Sequence, residues 1–149
     1  CNRKKSNWRR ATSSKLILSQ FLLVAFGGSI GASTRYLFYL ISKNFLPANY
    51  LFINTLIINI IGSFLIGYLI VLIENKSFSQ DFLKYFFIIG ILGSFTTFST
   101  FSIETVELLI NKKFILGFFY IFLSLFICLS FTFLGLNLNK IISWLKYLL

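Results

Sequence analysis

Residues 90–104 read Gly-Ile-Leu-Gly-Ser-Phe-Thr-Thr-Phe-Ser-Thr-Phe-Ser-Ile-Glu. Six hydroxyl side chains (Ser94, Thr96, Thr97, Ser99, Thr100 and Ser102) and the Glu104 carboxylate interrupt a long apolar run here. Lipid offers such groups no hydrogen bonds, so each must find a partner inside the protein or face a wet path. Gly90, Gly93 and Ser94, followed by two β-branched threonines, also weaken a helix. The expectation is a membrane helix broken in its middle. Irregular backbone at that depth is tolerated only where it is buried in protein or lines a cavity. This stretch is therefore the candidate functional site.

The rest of the chain supplies the membrane setting. Its 149 residues are 57% hydrophobic and 12% charged, against about 25% charged in a soluble domain. Apolar runs at about 16–41, 50–73, 84–110 and 114–137 each reach the roughly 20 residues that a spanning helix requires. The expected fold is an all-α membrane protein with four transmembrane helices, the third broken. Residues 1–15 form a basic N-terminal tail, and residues 16–149 form one membrane domain.

A net charge of +10 raises nucleic acid as a partner, but its placement argues otherwise. Arg3, Lys4, Lys5, Arg9, Arg10 and Lys15 directly precede the first span, as cytoplasmic flanks near anionic lipid do. The tail, the run Leu16–Phe26 and Gly27–Gly28 also mimic a signal peptide. Hydrophobicity continues to about Ile41, so a retained helix is expected. Two cysteines far apart, Cys1 and Cys128, and no histidine leave no disulfide framework or soft-metal cluster. There is no paired-carboxylate site, phosphate loop or nucleophile–base pair, and an enzyme is not expected.

Each span carries a distinctive feature. Gly27, Gly28, Gly31 and Ala32 recur at helical spacing in the first, which suits close backbone approach. Arg35, near its far end, is costly in lipid unless paired or snorkelling. The second holds Asn54 near its entrance and Asn59 deeper; a buried amide needs partners for both ends. Asn59 is open to two readings, glue between helices or a donor facing a path. Gly62, Ser63 and Gly67 continue a small face. Phe98 and Phe101, three apart, share a face of the third helix, as do Tyr120 and Ser124, four apart, in the fourth. Asn137, Asn139, Lys140, Trp144 and Lys146 suit an amphipathic surface tail.

Together GGSIGASTRY at 27–36, NTLIINIIGSFLIG at 54–67, GILGSFTTFSTFSIE at 90–104, and Tyr120 with Ser124 resemble the CrcB/Fluc family of fluoride channels. The resemblance covers all four spans, and its most specific signal is the TTFSTF core followed by Glu104. It implies an antiparallel, dual-topology dimer with two narrow fluoride pores at the interface, passively exporting fluoride. By motif position, Phe98 and Phe101 are then the pore phenylalanines and Asn59 the pore amide. Thr97, Ser99, Thr100, Tyr120 and Ser124 are nearby pore-lining candidates. Arg35 belongs to the vestibule and Glu104 to the polar pathway. The carbonyls of Gly93 and Thr96 face a central structural sodium ion. Asn54 and Ser94 stand where the family commonly has glycine; both substitutes are small or polar, and only local adjustment is expected.

Fluoride is small and strongly hydrated, so a pore must replace its water with hydrogen-bond donors, which hydroxyls and amides supply. Phenyl rings present electropositive edges to an anion without a full charge, avoiding a well too deep to leave.

With four spans, both termini and the Glu74–Lys84 loop share a side, which carries ten of the fourteen Lys and Arg residues. The other side has three, Lys43, Lys112 and Lys113, and Arg35 lies in a span. Such a bias favours insertion into the plasma or inner membrane with cytoplasmic termini. It also favours pairing with an oppositely oriented homologous subunit over a homodimer, although the tail alone holds six of the ten. The main rival is a small four-helix proton-coupled multidrug transporter, which needs a membrane-embedded carboxylate; Glu104 is the one deep candidate. A scaffold with polar glue is a second rival.

Overall fold

The computed structural model describes residues 2–47, 50–74 and 79–148, with side chains described for 15–47, 50–74, 79–138 and 140. Among these residues the regular structure is all helical, with no strand. Helix α1 spans Asn2–Phe45, α2 Phe52–Glu74, α3 Phe82–Leu92, α4 Gly93–Phe95, α5 Phe98–Ile110 and α6 Phe114–Leu148. Four stretches are long and apolar enough to cross a membrane: Lys15–Phe45, Phe52–Glu74, Phe82–Ile110 and Phe114–Leu138. The chain is thus a multi-pass membrane protein. The α1 backbone runs unbroken from Asn2 through the basic residues into the first span. Most of the expected amphipathic C-terminal tail, from residue 141 on, lies outside the described side chains.

Two seams hold the helices together, and both are built on glycine. In the first, Gly27 and Gly90 bring α1 and α3 so close that a Cβ on either would collide with the other helix's backbone. In the second, Gly67 of α2 and Gly135 of α6 do the same. In lipid, apolar burial gives no net drive, so such contact maximises dispersion where side chains would hold the helices apart. Between the seams sits a small apolar core of Ile58, Leu92 and Phe95, with Phe38 meeting Phe95 edge-on at 5.8 Å.

The third span changes partners along its length. Its first part, α3 and α4, lies on α1, whereas α5 lies on α6 and α2. Helix α3 is wound as an eleven-residue π-helix, a wide winding that is rare beyond a single turn. A tight connection then turns α5 into α6. Lys112, at φ 58°, adopts the left-handed conformation, and its N–H and that of Lys113 bond back to Leu109 O and Leu108 O at 3.0 and 2.9 Å. These two bonds satisfy the last carbonyls of α5 in the usual C-terminal manner.

Candidate functional site

The break falls at Thr96 and Thr97. Thr96 has φ −76° and ψ 155°, Thr97 φ −149° and ψ 121°, both extended. Gly90 and Gly93 themselves stay wound, so the interruption lies beyond the glycines that sequence reasoning emphasised. Local side-chain bonds cap the helix on each side of it. The Thr96 hydroxyl donates to Leu92 O at 2.9 Å, closing α4. Thr97 opens α5 as its cap, with Oγ1 accepting from the Thr100 N–H at 3.2 Å. A side-chain oxygen in this role replaces a missing helical acceptor.

Asn59 of α2 holds the break open. Its Oδ1 accepts from the Thr97 N–H at 2.9 Å, and its Nδ2 donates to the Thr97 carbonyl at 3.1 Å. Both polar ends of the amide thus serve one residue's backbone, and one N–H of Nδ2 is left for another acceptor. These bonds divert donors from the helix. In a continuous helix the Thr97 N–H would serve the Gly93 carbonyl, and the Thr100 N–H that of Thr96. Gly93 lies on an exposed face. The pair of carbonyls is an all-oxygen, hard donor set of the kind that suits a hard cation.

The hydroxyls around the break form one network. Thr97 Oγ1 donates to Thr100 Oγ1 at 3.0 Å and lies 3.2 Å from Ser99 Oγ. Since Thr97 spends its only proton on Thr100, Ser99 is the donor in the second contact. Thr100 keeps its own proton for a further acceptor. Phe98, 78% exposed, stands just past the break. Its ring centroid lies 5.4 Å from that of Phe101, which lies 5.1 Å from Tyr120.

A second polar centre surrounds Glu104. Thr55 donates to one carboxylate oxygen and Tyr120 to the other, both at 2.8 Å. Tyr120 is 2% exposed, its hydroxyl proton is committed to Glu104, and it is not among the residues lining the cavities described below. Thr55 was missed from sequence, although it lies four residues before Asn59 and hence on the same face of α2. The Ser42 hydroxyl also donates to Asn54 Oδ1 at 2.8 Å, which ties α1 to the start of α2.

Three cavities border these groups, each sharing a residue with the next. A groove of about 310 Å³ is lined by Asn59, Ser63, Thr96, Thr97, Phe98, Phe101, Ser124 and Cys128, with three aliphatic side chains. A second cavity of about 290 Å³ holds Arg35, Asn54, Thr55, Thr97, Thr100 and Glu104. A third, about 270 Å³, runs from Glu104 to Glu107, Asn111 and Lys113 at the far mouth. Thr97 borders the first two, and Glu104 the last two. Arg35 brings its charge to the second cavity without a hydrogen bond or ion pair among the described residues. Ser124 Oγ is buried with no hydrogen-bond partner.

A family model described as "CrcB-like protein, Camphor Resistance (CrcB)" matches residues 22–136. The Fluoride-specific ion channel FluC of Ruminiclostridium cellulolyticum is 46% identical over 120 residues, 80% of this chain and 92% of that protein. The protein of the same name from Campylobacter hominis is 40% identical over 121 residues, 81% of this chain and 95% of its own length. That of Campylobacter jejuni is 40% identical over 124 residues, 83% of this chain and the whole of the relative. The matched region takes in every residue of the broken span, the Glu104 centre and the three cavities, and the chain belongs to the CrcB family.

Proposed function

We propose that this chain forms a fluoride-selective channel through which the ion leaves the cell passively, as its relatives' names describe for them. The observation that carries the reading is Thr97, an extended residue in mid-span that borders two polar cavities at once. An anion crossing there meets the free protons of Thr100 and Asn59 and the rings of Phe98 and Phe101. Neutral donors and ring edges replace hydration water without a full charge to trap the ion. Arg35 raises anion concentration in the neighbouring cavity. Export of this kind relieves cytoplasmic fluoride toxicity after acid-driven entry of HF. Such a chain is a conduit and not an enzyme.

The site is completed by a second, antiparallel subunit. One observation supports this: Gly93, its carbonyl deprived of a helical donor, sits on an exposed face that lipid could not satisfy. The Gly93 and Thr96 carbonyls would hold a sodium ion there, which supplies positive charge that fastens the two breaks together. The charge bias of ten against three supports termini in the cytoplasm, and a partner that is an oppositely oriented homologous subunit in preference to an identical chain. Protease access to tagged termini tests this, and equal populations in both orientations would refute the heterodimer.

Fluoride efflux from liposomes tests the function, with chloride as control and Phe98→Ile and Phe101→Ile alongside. Fluoride but not chloride leaves vesicles holding the unaltered protein, and either substitution abolishes that flux while the protein still elutes as folded. Unchanged flux in both variants would remove the phenylalanines from the mechanism.

A further inference from the structure

We propose that Asn54 is a further fluoride-binding residue: its side-chain amino group, aimed by Ser42, holds the ion in the second cavity before it reaches Thr97. This rests on the fluoride reading of that cavity. Asn54 is 5% exposed and sits in the first turn of α2, where its N–H bonds to Leu51 O at 3.0 Å. Its Oδ1 accepts from Ser42 Oγ at 2.8 Å. Its Nδ2 has no hydrogen-bond partner among the described residues. Nor is that nitrogen sealed, because among the described residues the buried side-chain atom left without a partner is Ser124 Oγ. Nδ2 therefore reaches open space, and the space that Asn54 lines is the second cavity. A buried amide bonded at one end and open at the other calls for an acceptor.

The charges around the cavity show why such a donor matters. One guanidinium, Arg35, and one carboxylate, Glu104, line it together. Their formal charges cancel, so charge alone does not favour an anion there. The preference then comes from aimed dipoles. Thr55 spends its proton on Glu104 and offers an ion no donor. Asn54 does the opposite: with Oδ1 tied to Ser42, it presents two N–H groups, the positive end of the amide dipole. Neutral donors of this kind replace an anion's hydration water without trapping it. The tie between α1 and α2 does not account for the amide, because Oδ1 makes that tie and the amino group takes no part in it.

The test uses the full chain with Asn54→Gly, Asn54→Ala and Ser42→Ala. Asn54→Ala stands in where Asn54→Gly weakens the helix. Two readouts are taken: fluoride efflux from liposomes at graded fluoride concentration, and broadening of the fluoride magnetic-resonance line by the protein in detergent. Both Asn54 variants raise the half-saturating fluoride concentration about tenfold, the worth of one hydrogen bond to an ion, while the maximal rate is kept. The line broadening falls in step. Ser42→Ala keeps the amide but frees it to turn, and gives a smaller rise. A role confined to tying α1 to α2 would lower the unfolding temperature of all three variants alike and leave half-saturation and broadening unmoved; that outcome overturns the proposal. A chain that carries no fluoride even unaltered overturns the channel reading, and the broadening then decides the site. Lost in the Asn54 variants, it upholds an anion site; unchanged, it overturns one.

Discussion

The two glycine seams and the polar centre at the break hold one bundle together by opposite means. Along Gly27–Gly90 and Gly67–Gly135 the backbones approach with nothing between them, and no side-chain hydrogen bond is involved. Around Thr97 and Glu104 the helices stand apart, and named hydrogen bonds cross the gap. The seams fix distances, because a close-packed contact has one optimum separation. The polar centre fixes directions, because each proton has one acceptor. A bundle held only by seams would have no interior route; one held only by polar bonds would lack rigid walls.

Substitutions separate the two means. Gly90→Leu drives a side chain into the Gly27 backbone, and overpacking of this kind costs roughly 3 kcal/mol or more. The expected outcome is loss of a monodisperse peak and of any thermal transition in detergent. If Gly90→Leu unfolds at the unaltered temperature, the seam is not rigid.

Asn59→Leu comes next. It leaves the N–H and carbonyl of Thr97 without partners, each a loss of about 1–3 kcal/mol. Destabilisation and loss of fluoride flux are expected together. Asn59→Asp sharpens the point, since it keeps an acceptor for the Thr97 N–H but removes the donor to the carbonyl. Its unfolding temperature should fall between those of the unaltered protein and Asn59→Leu.

Thr55→Val is expected to do least. It removes one hydroxyl donor from Glu104 at constant shape, and a hydrogen bond to a charged group is worth about 1.5–3 kcal/mol. Tyr120 still holds the other oxygen, so the fold survives, with a lower unfolding temperature. A variant as unstable as Asn59→Leu would show that Glu104, and not the break, is the keystone.

The seams and the break were legible to different degrees. Gly27, Gly31 and Gly67 announce themselves by helical spacing, and the four apolar runs coincide with the spans to within a few residues. The break was legible from the hydroxyl run, and it falls at the two threonines of that run and not at the glycines before them. Glycine weakens a helix only when something else competes for the backbone; here the competitor is Asn59, 38 residues upstream of Thr97. That long-range bond has no local signature. The same holds for Glu104, whose donors come from two other helices. Of the two readings of Asn59 left open by its sequence, the structure shows it tying α2 to the break, and the residue also lines the groove. The wide winding of α3 left no trace in composition.

That winding has a consequence for anyone mapping tolerance to substitution. In α3 each turn takes more residues than the 3.6 of an ordinary helix. A wheel drawn on the ordinary period therefore assigns positions 82–92 to the wrong sides. Saturation scanning should show intolerant positions in this segment recurring at a longer interval than in α2, and a single-residue deletion there should be absorbed as a return to tighter coiling.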